Sequence, residues 1–285
     1  MATLREPTPA PASRPAGTAD AAQGGTFGTP LDVNWLGLWT LYQKEVQRFV
    51  KVIMQTVLAP MITTLIFLAV FTIALDRGGR TIGGLPFIEF LAPGLVMMAV
   101  IQNAFANSSS SLMIAKIQGN IVDYLMPPLN AWELVFGVVM GAVTRGVVVG
   151  LAVWLVMVPV AGASVPHPLL ALFHLLAASM ALGLIGFVTA LWAEKFDQLA
   201  AVTNFLVTPL SFLSGTFYAV EQLPDAFWWA AHLNPFFYMI DGLRFALTDY
   251  TDGTLWIGAA VIVTAVAGLW WLTLHLVRRG WKLRP

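Results

Sequence analysis

The chain has 285 residues, with 15 basic and 15 acidic side chains, so its formal net charge is zero and it makes no global electrostatic bid for nucleic acid. It is 58% hydrophobic and only 11% charged, with a mean hydropathy of +0.76. Soluble domains of this size do not carry so little charge, and the class is an all-α polytopic membrane protein. Cysteine is absent, which excludes disulfides, thiolate zinc sites, iron–sulfur clusters and cysteine nucleophiles.

Residues 1–33 are rich in Ala, Pro, Thr and Gly and lack the continuous apolar block of a signal peptide; they are predicted to form a disordered cytoplasmic tail, leaving 34–285 as one membrane domain. Trp35 to Ile53 is amphipathic, with Trp35, Trp39, Tyr42, Val46 and Phe49 opposite Lys44, Gln47, Arg48 and Lys51, the pattern of a helix lying in the membrane interface. A first span is predicted over Val57–Leu75, kinked at Pro60, with the Thr63 and Thr64 hydroxyls bonded back to the helix. Asp76 to Gly84 reads as a Gly-rich turn. The second span covers Leu91–Asn107 and ends in polar turns carrying Gln102, Asn103, Asn107 and Ser108 to Ser111.

Ile114 to Leu125 is predicted as a short amphipathic helix, with Ile114, Ile117, Ile121 and Leu125 opposite Lys116, Asn120 and Asp123, ended by Pro127-Pro128. The third span is Leu134–Val160, with Arg145 near its middle. The fourth runs to Ala193, and a charged loop from Glu194 to Asp197 leads to the fifth, Leu199–Phe217. The stretch from Thr208 to Leu247 then breaks at Ser214-Gly215 and passes Glu221 and Leu223-Pro224-Asp225. It turns apolar from Ala226 to Ile240, around His232 and Asn234-Pro235, before Asp241 and Arg244. That apolar run falls short of the roughly 20 residues needed to cross a bilayer, so it enters and turns back. The last span is Leu255–Val277.

These elements make six spans, with Lys44, Arg48, Lys51, Lys116, Lys195, Arg278, Arg279, Lys282 and Arg284 on one side and Arg77, Arg80 and Arg244 on the other. The positive-inside rule makes the first side cytoplasmic, with both termini inside. No G-x-x-x-x-G-K-[ST] loop is present, so the chain has no such means of binding ATP. The four histidines are scattered, which argues against a metal site. An intramembrane serine protease built on Ser214 needs a base within hydrogen-bond reach; His275 belongs to the opposite end of the membrane and His232 reads as a satisfied headgroup-level histidine. Arg145 is read as the only charge well inside a span, either functional or bonded to Gln102, Asn103 or Asn204 as a packing residue. The helix Ile114–Leu125 either floats on headgroups or seats in a groove of a soluble partner, and its single basic residue favours the partner. An ion-driven carrier would need buried acids in the spans, which the sequence does not place there.

Four blocks carry a family resemblance: YQKEVQRF in the interface helix; FLAPGLVMM followed by NAFANSSSS; KIQGNIVDYLMPPLNAWELVFG running into GAVTRG; and PLSFLSGTFYAVEQLP with LNPFFYMIDGLR. They occur in order over residues 36–250, and with them the chain resembles the type-2 integral membrane subunits of ABC exporters, the group that includes lipo-oligosaccharide, polysaccharide and drug export permeases. The resemblance implies a homodimer in the bacterial inner membrane, paired with two ATPase subunits that hold the ATP and Mg, no cofactor in this chain, and alternating access as the mechanism. It implies that Ile114–Leu125 is the coupling helix, so that Lys116, Ile117, Gly119, Asn120, Ile121 and Asp123, with Lys44, Glu45 and Arg48 of the interface helix, meet the ATPase. It implies that the first and fifth spans line the translocation path, offering Thr63, Thr64, Phe67, Phe71, Asn204, Phe205, Phe212 and Phe217. It also implies re-entrant helices at the outer exit, with Gly215, Tyr218, Leu223, Pro224, Asn234, Pro235, Asp241 and Arg244 as gate residues. Ala219 stands after Tyr218 where the family often has proline. Cargo suited to aromatic, uncharged walls is amphipathic, lipid-linked or drug-like. A scaffold subunit without an ATPase is the non-enzymatic rival.

Overall fold

The computed structural model describes residues 33–75, 81–121, 124, 129–162, 164–222 and 224–282. The tail expected over 1–33 lies outside them except for Val33, as do Arg77, Arg80, Asp123, Leu125, Pro127, Pro128, Leu223 and Arg284. The described chain is almost wholly helical. Helix α1 is Trp35–Val50, and α2 is Ala59–Leu75, preceded by a π-helical turn at Met54–Leu58. A two-stranded antiparallel hairpin, β1 Thr81–Ile82 and β2 Leu85–Pro86, turns on Gly83 and Gly84, both at positive φ, the requirement of a two-residue hairpin. Then follow α3 Phe87–Ile117, α4 Ala131–Ala161 and α5 Pro168–Trp192. A further helical run is built from α6 Phe196–Val202, a π turn Thr203–Val207 and α7 Thr208–Leu213. The last elements are α8 Asp225–Leu233, α9 Pro235–Thr248 and α10 Leu255–Arg278.

Five helices among the described residues are long and apolar enough to cross a membrane: Met54–Ala74, Phe87–Ile117, Ala131–Ala161, Pro168–Trp192 and Leu255–Arg278. The fold is therefore that of an all-α polytopic membrane protein. Helix α3 is its axis, packed against α4, α5 and α9. Within the most apolar window, 83% of α3 is buried, against 11% of the first span and 17% of the last, so these two stand at the periphery. Ile62, Ile66, Val70 and Ile73 form one exposed stripe along α2.

Small residues allow the central helices to close up, as expected where lipid supplies no hydrophobic drive between spans. A Cβ at Gly186 of α5 would lie 2.5 Å from the Phe105 carbonyl oxygen of α3, backbone against backbone. Gly137 and Gly141 of α4 face Leu41 and Glu45 of α1 at the same spacing, so the polar helix α1 lies directly on α4.

One expectation needs correction. Ile114 does not begin a separate helix: Ile114 to Ile117 is the last turn of α3, and Gln118 to Ile121 follows in turns, with Gly119 at φ +72. The long charge-free run upstream carries its helix through the polar Asn/Ser segment, and glycine's left-handed conformation stops it. At the expected kink, Pro60 follows a π turn, and Pro209 stands likewise after Thr203–Val207; the turn absorbs the backbone bond that each proline cannot make. The buried face of α1 is Leu38, Leu41, Glu45 and Phe49, whereas Trp35 and Trp39 are exposed.

Candidate functional site

Polar side chains gather at three levels. At the α1 end of the molecule, Glu45 is fully buried where α1 packs on α4, and its carboxylate reaches α3. Its Oε1 accepts from Ser111 Oγ at 2.5 Å and from the Tyr124 hydroxyl at 3.0 Å. Its Oε2 meets Arg48 Nη2 at 3.2 Å. Arg48 also donates to the Asn107 carbonyl at 2.7 Å, to Asn107 Oδ1 at 3.0 Å and to Ser110 at 3.0 Å. Lys44 Nζ stands 4.1 Å from the Tyr124 ring centroid. Burial, and then the Glu45 carboxylate, push the Tyr124 phenol pKa upward. A carboxylate at this depth persists because both its oxygens are used. Glu133 adds a second joint, accepting from the Asn34 and Asn130 backbone N–H groups at 2.8 and 2.7 Å and so fastening the start of α1 to the start of α4.

Of the other residues assigned to ATPase coupling, Lys116 turns inward. Its amine donates to the carbonyls of Ala190, Leu191 and Ala193 at 3.1, 2.9 and 2.7 Å, capping the end of α5. Ile121 is buried. Ile117, Gly119 and Asn120 are exposed, and Asp123 lies outside the described residues.

At the level of the helix midpoints, Arg145 of α4 donates through Nη2 at 2.9 Å and Nε at 3.3 Å to Asn103 Oδ1 of α3. Neither Gln102 nor Asn204 bonds it. Asn103, Gln102, Pro60, Thr63, Phe67 and Met98 help to line a cavity of about 230 Å³ between α2 and α3. Four of the phenylalanines assigned to the path form one group: Phe71 stacks on Phe217 at 4.3 Å, Phe212 on Phe217 at 5.1 Å, and Phe67 lies 6.4 Å from Phe217. Thr64 is buried and bonded to the Pro60 carbonyl at 2.7 Å. Thr63, Asn204 and Phe205 are exposed, and Thr63 lines the cavity beside Phe67.

At the far end, Arg244 of α9 is fully buried, so a second cation besides Arg145 is held inside the molecule, outside the membrane-crossing helices. Its guanidinium lies 4.0 Å from the Phe90 ring centroid, bonds the Gly215 carbonyl where the helix after α6 ends, and faces Asp252 Oδ2 at 3.5 Å. Asp252 accepts the Tyr250 hydroxyl at 2.5 Å, and Tyr250 covers Gly83 of the hairpin. Asp241 accepts from Thr251 Oγ1 and the Asp252 N–H, both at 2.7 Å. Asn234 caps α9 and donates to the Leu210 carbonyl at 3.0 Å and to Ser214 Oγ at 2.7 Å. Tyr218 donates to the Leu213 carbonyl at 2.9 Å, Pro235 opens α9, and Pro224 is exposed. Gly215, Asn234, Asp241 and Arg244, which the resemblance assigns to an outer gate, are therefore all buried in bonded positions, and Leu223 lies outside the described residues. Ser214 also donates to the Leu210 carbonyl while His232 bonds the Trp228 carbonyl, so these two do not form a nucleophile–base pair.

Sequence reasoning missed the tertiary role of Asp252, Tyr250, Ser111 and Tyr124. Only the density of polar residues in TDYTDG and in the Asn/Ser run hinted at it.

The model of the ABC-2 type transporter family matches residues 37–248. The chain is 32% identical over 250 residues to the inner membrane transport permease YadH of Escherichia coli K12, covering 88% of this chain and 98% of that one. It is 25% identical over 234 residues to nodulation protein J of Sinorhizobium fredii NGR234, with 82% and 87% covered. Nodulation protein J of Rhizobium leguminosarum bv. trifolii is 24% identical over 213 residues, with 74% and 80% covered.

Proposed function

The chain belongs to the ABC-2 type transporter family, and from that premise we propose that it is the membrane permease of an ATP-driven exporter in the bacterial inner membrane. Its energy comes from a separate ABC ATPase, which carries the ATP and Mg, and the permease itself works as a homodimer with two ATPase copies. The run Phe196–Leu213 serves as a sixth span beside the five longer ones, both termini are cytoplasmic, residues 1–33 form a disordered tail, and 34–285 are one transmembrane domain.

The observation that carries this reading is the buried Glu45 joint. It ties an amphipathic helix with an exposed basic edge to the end of the most buried span, next to the exposed turn at Ile117 to Asn120. A push on that turn, or on Lys44, Arg48 and Lys51, passes into α3 through charge-assisted bonds instead of dissipating in a loop. The ATPase docks there, with Ile117, Gly119, Asn120 and Asp123 as coupling residues and Lys116 holding the turn to α5. Alternating access follows as α2 and the Phe196–Leu213 run shift about the dimer axis. The lightly packed α2, its exposed isoleucine stripe and the Phe67–Phe71–Phe212–Phe217 group support a path at that place. Substrate leaves past α8 and α9, whose Arg244 network acts as the outer gate. Aromatic and uncharged walls suit amphipathic, lipid-linked or drug-like cargo.

The test compares ATP-dependent export by proteoliposomes carrying the permease with and without its ATPase. Transport equally fast without the ATPase refutes the coupling. Charge or helix-breaking changes at Gly119, Asn120 or Asp123 are expected to uncouple hydrolysis from transport while the protein stays in the membrane.

A further inference from the structure

A hollow of about 720 Å³ opens between α4, α5 and α10, walled by Met140, Met180, Val263, Ala267, Trp271 and Leu274 among others. Every side chain that lines it is apolar or aromatic. Its size is that of a site for a drug-sized molecule, roughly 300–1,000 Å³. None of its walls comes from α2 or from the Phe196–Leu213 run, so it stands apart from the Phe67–Phe217 group. Along α10 the walls run from Val263, near the middle of the helix, to Leu274, one turn before its end. That is a rise of about 16 Å, against about 15 Å for one leaflet of the hydrocarbon core.

The end of the hollow is marked by aromatic rings and by cations. Phe136 of α4 meets Trp270 edge-on at 6.3 Å, and Trp132 meets Phe136 at the same distance, so an aromatic row runs from the hollow to the start of α4. Rings of this kind sit at the level of lipid head groups. His275 stacks on Trp271 at 5.5 Å. Arg278 lies one helical turn beyond Leu274 and so continues the face that lines the hollow. Arg278 and Arg279 are exposed, and their side chains have no partner among the described residues. Of the acids at this end, Glu45, Glu133 and Glu194 are bonded elsewhere.

An occupant must therefore match a hydrocarbon wall one leaflet deep with free cations at its end. A second copy of the chain does not. A two-fold axis along the membrane normal brings identical residues together at one depth, so contact through this face sets Arg278 and Arg279 against their own copies. We propose that the hollow between α4, α5 and α10 seats a resident anionic phospholipid, with an acyl chain along Ala267 and Trp271 and its phosphate paired with Arg278 and Arg279. The lipid is a structural ligand and not cargo: it ties the lightly packed last span to α4 and α5. The proposal does not draw on the exporter reading.

The experiment uses the full chain in phosphatidylcholine nanodiscs. The probe is phosphatidylglycerol carrying a diazirine in one acyl chain, set against phosphatidylcholine with the same chain, and labelled peptides are identified by mass spectrometry. The anionic probe is expected to label the peptide containing Ala267 and Trp271 about fivefold more than the zwitterionic one, the ratio that one surface cation supplies. The exposed stripe at Ile66 and Val70 of α2 should take both probes equally. Arg278→Gln/Arg279→Gln is expected to bring the ratio at Trp271 to one, and Arg278→Lys/Arg279→Lys to keep most of it. Ala267→Phe, which fills the hollow, should lower labelling there by both probes and leave α2 unchanged. Equal labelling of the wild-type hollow by the two probes overturns the proposal. So does an excess of the same size on α2, which is a general attraction to the protein, and so does an excess that survives Arg278→Gln/Arg279→Gln. The chain has no cysteine, so Ala267→Cys reports the rival occupant. A disulfide-linked dimer on oxidation in membranes would put a second copy in the hollow and overturn the proposal; a chain that stays single keeps it.

Discussion

Removal of the Glu45 carboxylate offers the most direct test of the joint between α1 and α3. In Glu45→Ala the Ser111 and Tyr124 hydroxyls, at 2.5 and 3.0 Å, lose their charged acceptor. Arg48 keeps the Asn107 carbonyl, Asn107 Oδ1 and Ser110, and its side chain is 28% exposed, so water replaces the carboxylate there. The expected loss therefore falls at the lower end of that for breaking a buried pair, about 3 kcal/mol. Tyr124→Phe removes one hydrogen bond to a charged group and is expected to lose about 2 kcal/mol. In the double variant the hydroxyl has no carboxylate left to serve, so its removal adds almost nothing and the interaction energy is about 2 kcal/mol. The assay is equilibrium unfolding of the purified permease in mixed micelles of rising dodecyl sulfate content, followed by tryptophan fluorescence. Losses that add to within about 0.5 kcal/mol would show that Glu45 and Tyr124 are neighbours without being a joint.

Gly186→Ala forces a Cβ to within 2.5 Å of the Phe105 carbonyl, whereas Gly268→Ala meets nothing within 4 Å. The first should lower stability by about 1–3 kcal/mol and the second should not lower it, by the same titration; equal behaviour would contradict the close crossing of α3 and α5. Arg244→Leu leaves the Asp252 carboxylate without its counter-charge and the Gly215 carbonyl without this donor in the interior, and is expected to lose about 3–5 kcal/mol, with Arg244→Leu/Asp252→Asn recovering part of it. No recovery in the double variant speaks against the pair. Lys282 bonds Glu194 and holds that carboxyl below its ordinary value of 4.5. Because the folded pKa is the lower one, the tie is complete above the ordinary value and is lost as the pH falls through the folded value. A nitroxide on Gly280→Cys, in a chain otherwise free of cysteine, should gain mobility only on acidification below about pH 4.5; equal mobility at neutral pH and at pH 3 would show that the tie restrains nothing.

The membrane class, the ends of most spans and the break at Ser214-Gly215 could be read directly from the sequence. Each depends on local chemistry: unbroken apolar runs, proline and glycine at ends, and charged loops between. The exposed position of Gly119 and Asn120 was legible for the same reason. Phe67, Phe71, Phe212 and Phe217 could be named as a set, but only the packing shows that they touch while Phe205 stands apart.

Burial of charge was not legible. Glu45 and Arg244 stand in segments with polar neighbours, and nothing in a local window says that Ser111, Tyr124, Asp252 or Gly215 will arrive to satisfy them. A carboxylate or guanidinium is tolerated inside only when partners from distant parts of the chain converge on it, so its depth is a property of the assembled helices. What this chain determined by itself is that it lives in a membrane and where most of its helices stop, because those depend on the solvent and on the backbone of each segment. Which charges it hides, and which helices they join, was decided only when α1, α3 and α9 came together.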